Sequence, residues 1–74
     1  MSIFNIHAAI RYELGEQLWK MRRQKQMKLL SVSKITHIPV NIIDRMERGK
    51  YFSYSECNKL AHLYGCKLKI LLEQ

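Results

Sequence analysis

Apolar residues recur along this chain with helical spacing. Leu14, Leu18 and Met21 stand at i, i+4 and i+7, one face of a helix. Ile10, Ile6 (or His7) and Ile3 carry the same stripe backwards, and Trp19 falls off it. Forwards the stripe stops, because positions 25 and 28 are lysines, so the first helix is predicted to end between Arg23 and Gln26. A second short helix, within Met27–Thr36, carries Val32, Ile35 and Thr36. It ends before His37-Ile38-Pro39, since the residue preceding a proline avoids the helical region. Pro39 suits the first turn of a third helix, Pro39–Arg48, where its missing N–H is no loss. Val40, Ile43 and Met46 form that helix's apolar side, while Asn41, Asp44, Arg45 and Arg48 fall together opposite, within about 100° of arc. Gly49 is a fitting stop, and Tyr51-Phe52-Ser53 reads as a loop. Ser53 or Ser55 caps a fourth helix through about Tyr64, with Tyr54, Cys57, Leu60, Ala61 and Tyr64 inward and Gly65 ending it. A last short helix, Leu68 to Glu73, carries Leu68, Leu71 and Leu72.

Composition narrows this to one small all-α domain. With 74 residues there is no room for a two-domain enzyme, a closed barrel or a doubly wound sheet. Hydrophobic residues at 47% are enough for a packed core, and one Pro with three Gly leaves little turn chemistry for strands. Residues 1–11 are read as an N-terminal extension, either a dimer contact or a continuation of the first helix, and residues 12–74 as the domain itself. No signal-peptide pattern and no apolar run of membrane-spanning length is visible, and two cysteines are too few for a disulfide framework. A cytoplasmic protein with reduced thiols is expected.

Charge changes the picture most. The net charge is +7, and all of the excess lies between Lys20 and Lys50, where nine basic residues face only Asp44 and Glu47. That localisation marks a surface directed at a polyanion. Two short helices joined by a turn of about three residues have the spacing of a helix-turn-helix, and the second has one apolar and one cationic face. Such a helix fits the major groove of B-DNA, about 12 Å wide.

At these residues the chain resembles the lambda-repressor-like, XRE-type helix-turn-helix family. The likeness is carried by Leu14-Gly15-Glu16-Gln17-Leu18 with Arg22 downstream, by Ser33-Lys34-Ile35-Thr36-His37-Ile38-Pro39, by Ile43-Asp44-Arg45-Met46-Glu47-Arg48-Gly49-Lys50, and by Leu60-Ala61-His62-Leu63-Tyr64-Gly65. It spans Leu14 to Leu72. The resemblance implies a compact five-helix domain in which helices two and three read DNA. It implies that Ser33 fills the small position where those helices meet, and that Val32, Ile38, Ile43 and Met46 are the motif's core. It implies that Glu47 pairs with Arg22 and locks helix one to the recognition helix. The chain departs from the family at two positions. His37 stands where glycine is preferred in the turn, and Lys28 stands where a polar cap usually opens helix two.

Candidate contacts follow. Arg45 is the first choice for direct readout, since its fork matches guanine O6 and N7. Asn41 suits adenine N6 and N7, or caps the helix start. Val40, with Pro39 or Ile42, suits a thymine methyl, and Val40 suits the core equally. Asp44 suits accepting from cytosine or orienting Arg45, and orientation is preferred because a carboxylate near phosphates is otherwise repelled. Lys28, Arg48 and Lys50, with the N–H groups opening helices two and three, suit phosphates. One recognition helix covers few base pairs, so a homodimer on a palindromic operator is expected, with half-sites ~34 Å apart. Its candidate surfaces are Leu68 to Leu72 and the N-terminal segment, which also suits closure over the monomer's own core.

Other chemistry is set aside. Cys57, Cys66 and His62 lack the paired spacing of zinc sites, and the two cysteines are read as buried small residues. Neither a nucleophilic triad, nor paired carboxylates, nor a Gly-rich phosphate loop stands out, so no enzyme, cofactor or metal is expected. The sequence is read as that of a sequence-specific double-stranded DNA-binding transcriptional regulator that represses by occluding a promoter. The alternatives are a restriction-controller-like activator, an antitoxin or other protein-interaction module of a toxin–antitoxin or mobile-element system, and an RNA-binding protein.

Overall fold

The computed structural model describes residues 6–65. These form four helices and no strand: α1 (Ile6–Gln24), α2 (Leu29–Thr36), α3 (Val40–Glu47) and α4 (Tyr54–Tyr64). The expected fifth helix, Leu68 to Glu73, and Cys66 lie outside the described residues. The core is built from all four helices. Leu14 and Leu18 of α1, Val32 of α2, Ile38 of the turn, Ile43 and Met46 of α3, and Cys57, Leu60 and Tyr64 of α4 are each buried. Met21, Met27, Leu29, Ile42 and Leu63 pack around this centre. A continuous apolar centre of this kind is what holds such short helices, because eight-residue segments such as α2 and α3 are not stable alone.

Backbone chemistry sets where each helix stops. α1 ends in a Schellman arrangement: Gln26 takes the left-handed conformation (φ 55°), its N–H donates to the Arg23 carbonyl, and the Met27 N–H donates to the Arg22 carbonyl. α3 ends the same way at Gly49 (φ 74°), with Gly49 N–H on the Met46 carbonyl and Lys50 N–H on the Arg45 carbonyl. α2 ends at His37 (φ 64°), whose N–H returns to the Ser33 carbonyl. Histidine therefore supplies the left-handed turn that glycine would adopt more freely. Ser53 caps α4 by accepting the Glu56 N–H, whereas no side chain caps α2 at Lys28.

Four expectations need correction. The third helix begins at Val40, with Pro39 as its N-cap, and Arg48 is its C-cap. Tyr54 is exposed, not inward. As the first residue of α4 its side chain tilts towards the helix start, beyond the core beneath, and lies 6.2 Å from the Phe52 ring. Ile35 is also exposed, because the inward stripe of α2 runs through Leu29, Val32, Ser33 and Thr36 and leaves position 35 outside. Ile42 is drawn onto the core. Residues 6 to 11 continue α1 without a break, and Trp19, off the apolar stripe, is exposed.

Candidate nucleic-acid interface

α3 presents its two sides to different media. Ile43 and Met46 are buried, while Pro39, Asn41, Arg45 and Arg48 are exposed and Val40 and Asp44 half-buried. Lys28, Lys34 and Lys50 are also exposed. The turn ahead of α3 is set by two hydroxyls. Ser33 Oγ donates to the Ile38 carbonyl at 2.6 Å. Thr36 Oγ1 donates to the Val32 carbonyl at 2.8 Å and accepts from Ile38 N–H at 3.3 Å. Each of these polar groups is satisfied locally, so the turn can sit against the core without an unpaired donor.

The orientation of α3 is fixed from α1. Arg22 and Glu47 form a two-pronged pair, Nε to Oε2 at 2.6 Å and Nη2 to Oε1 at 3.0 Å, with side chains only 13% and 5% exposed. The remaining Arg22 prong, Nη1, donates to the Met27 carbonyl at 3.0 Å. The guanidinium thus joins α1, the turn before α2 and the end of α3. The Glu47 hydrogen bond is the chief reason the Arg22 guanidinium holds its proton more tightly than usual. Tyr64 lies near the pair. Burial first, then the Glu47 carboxylate, pushes its hydroxyl up to about 12, with Arg22 acting the other way.

Gly15 supplies the close approach. A Cβ there would lie 2.4 Å from the Met46 carbonyl oxygen and 2.8 Å from that of Glu47, so only glycine lets α1 rest on the last turn of α3. Sequence reading marked Gly15 as part of a motif but assigned it no role. Nothing within a single helix reveals which partner backbone passes over it.

Among the polar residues of α3 the pairing differs from expectation. Asp44 engages Arg48, at 3.0 Å, rather than orienting Arg45. The four-residue spacing puts these two side chains on neighbouring turns of one face. Arg45 Nη2 instead donates to the Lys50 carbonyl at 3.5 Å, a long and exposed contact. Its fork is therefore held only weakly at rest. On α1, Arg23 stacks over the Trp19 ring at 5.0 Å and Lys20 pairs with Glu16 at 3.5 Å, so these two cations already have partners.

Cys57 is buried, and desolvation raises its thiol to about 11, which suits an inert core residue. Among the described residues no group of three or more His, Cys, Asp or Glu could hold a metal ion. No described helix is long and apolar enough to cross a membrane.

A family model described as a Cro/C1-type HTH DNA-binding domain matches residues 17–73, well over half of the chain. No curated protein and no solved structure matches. The matched stretch contains α2, the turn and α3 entire, together with both Arg22 and Glu47.

Proposed function

Because the chain belongs to the Cro/C1-type helix-turn-helix DNA-binding domain family, we propose that it is a sequence-specific regulator of transcription that inserts α3 into the major groove and represses by covering a promoter. The observation that carries this reading is the two-sided character of α3: Ile43 and Met46 are sealed into the core while Asn41 and Arg45 stand in solvent on a helix clamped from α1. A short rigid helix with solvent-facing hydrogen-bonding groups is what base-edge readout demands.

In this reading Arg45 releases its weak contact with the Lys50 carbonyl and grips guanine O6 and N7. Asn41 addresses adenine, and Pro39 with Val40 lies against a thymine methyl. Asp44 keeps Arg48 extended beside the strand, where Arg48, Lys50 and Lys28 meet phosphates. The start of α2, uncapped by any side chain, leaves its first N–H groups open to a phosphate oxygen. A homodimer on a two-fold operator, with half-sites ~34 Å apart, would double the sequence read.

In vitro selection from a random duplex library tests the reading. A reproducible, two-fold symmetric sequence logo is expected, with binding that weakens steeply as salt rises. Recovery of no preferred sequence would overturn it.

A further inference from the structure

The first turns of α1 precede the family-matched segment, yet they touch the end of the recognition helix. Arg11 Nε donates to the Gly49 carbonyl at 3.2 Å. Tyr12 packs closely against the same residue: a Cβ on Gly49 would lie 2.5 Å from its ring Cδ1 and 2.9 Å from its Cα. Gly49 is also where α3 turns out of its axis, and the next N–H, that of Lys50, closes onto the Arg45 carbonyl at 2.9 Å. The peptide between Gly49 and Lys50 is thus pinned by helical closure on one side and by Arg11 and Tyr12 on the other.

We propose that Arg11 is a positioning residue for the phosphate contact of Lys50, making the N-terminal turns of α1 a working part of the DNA-binding unit. The inference rests on the reading of Lys50 given above. One physical consequence supports it. The left-handed step at Gly49 leaves the following residue's direction to the torsions of a single peptide, and the Arg11 hydrogen bond removes that freedom.

The test is a double-mutant cycle on the full chain, using Arg11→Ala, Lys50→Ala, the double variant and Arg11→Lys. Binding to the selected duplex and to a random duplex is titrated from 50 to 200 mM salt, below the melting temperature of each variant. Lys50→Ala should weaken both duplexes alike, by about three- to tenfold, and flatten the salt slope by about one. Arg11→Ala should do the same without changing the sequence logo, and the double variant should be no weaker than Lys50→Ala within about twofold. Arg11→Lys keeps the charge but lacks the Nε donor, so it should recover little, and it also serves as the readout should Arg11→Ala not fold. Additive losses with a slope flattened by about two, or full recovery by Arg11→Lys, would make Arg11 a phosphate contact in its own right and overturn the proposal. Wild-type affinity and slope in Arg11→Ala would equally overturn it. An inert Lys50→Ala would sink the Lys50 reading itself, a separable result.

Discussion

Gly15→Ala sets two physical effects against each other with opposite signs. Gly15 sits inside α1, where alanine is the better helix former by ~1 kcal/mol. On propensity alone the substitution stabilises. The surroundings say otherwise: the new methyl would lie 2.4 Å and 2.8 Å from the carbonyl oxygens of Met46 and Glu47 and 3.0 Å from the Glu47 carbonyl carbon. These are backbone atoms of a helix and its last turn, so no side chain can rotate aside. α1 and α3 would have to separate by roughly 1 Å, and overpacking of this kind costs ~1–3 kcal/mol. With backbone as the obstacle we take the upper end, for a net loss of ~2 kcal/mol after the propensity gain. In a domain of this size each kcal/mol moves the melting temperature by roughly 4–8 °C, so a drop of roughly 8–16 °C is expected. Thermal unfolding followed by circular dichroism reads this directly. A melting temperature equal to or above wild type would show that the helices yield freely and that Gly15 has no role in their approach.

The remaining predictions concern charge, readout and pH. Glu47→Leu leaves the Arg22 charge buried without its partner and should cost ~3–5 kcal/mol, measured by urea unfolding, whereas the Arg22→Met, Glu47→Leu double variant should lose well under the sum of the two single changes. Single losses under ~1 kcal/mol would mean the pair behaves as an ordinary surface contact. Arg45→Ala should relax the selected logo at one or two positions and cost ~1–3 kcal/mol of discrimination there, and an unchanged logo would refute the guanine contact. Stability should also fall at alkaline pH. The Cys57 thiol sits at about 11 in the fold against an ordinary 9.0, and the Tyr64 hydroxyl at about 12 against 10.0. Both groups keep protons in the folded state that the unfolded chain releases, so their contribution to stability is constant below about pH 9 and is lost as pH rises through about 12. Cys57→Ala should move the onset up to about pH 10, as a pH series of urea midpoints would show.

What the sequence carried legibly was local. The stripe Leu14, Leu18 and Met21, the lysines that end it, Pro39 and Gly49 each declare themselves through spacing or backbone preference, and the helices appear where they predict. What it carried poorly was anything decided by a neighbour. Tyr54 has inward spacing but lies on the first residue of α4, past the edge of the core. Ile35 has an apolar side chain on a helix whose inward arc is filled by Leu29, Val32, Ser33 and Thr36. Asp44 has Arg45 beside it in sequence and Arg48 beside it in space, and the helix repeat favours the second. The left-handed residue at Gln26 gave no compositional sign, because glutamine is not a usual choice there. The contacts of Arg11 and Gly15 with α3 and its C-terminal turn are long-range, and a single sequence offers no pattern that joins positions so far apart.

A buried ion pair between α1 and α3 is a poor way to gain stability, since desolvating two charges offsets most of their attraction. In the function proposed above, its use is angular. α3 has a radius of roughly 5–6 Å with side chains included, so a rotation of roughly 20° about its axis moves a base-reading tip by roughly 2 Å. A hydrogen bond does not survive such a shift. Apolar contacts at Ile43 and Met46 resist separation of the helices but tolerate some rotation, because dispersion has no preferred direction. The two-pronged Arg22–Glu47 contact, at 2.6 and 3.0 Å, tolerates little, because both prongs must stay in one plane. The Arg22→Met, Glu47→Leu variant separates these roles. It should melt near wild type, since well-packed apolar replacements of buried pairs are often neutral. Its selected logo should nonetheless lose contrast at every position read from α3, while its affinity for random duplex stays within about twofold. A logo as sharp as wild type in a protein of unchanged stability would show that packing alone orients the helix.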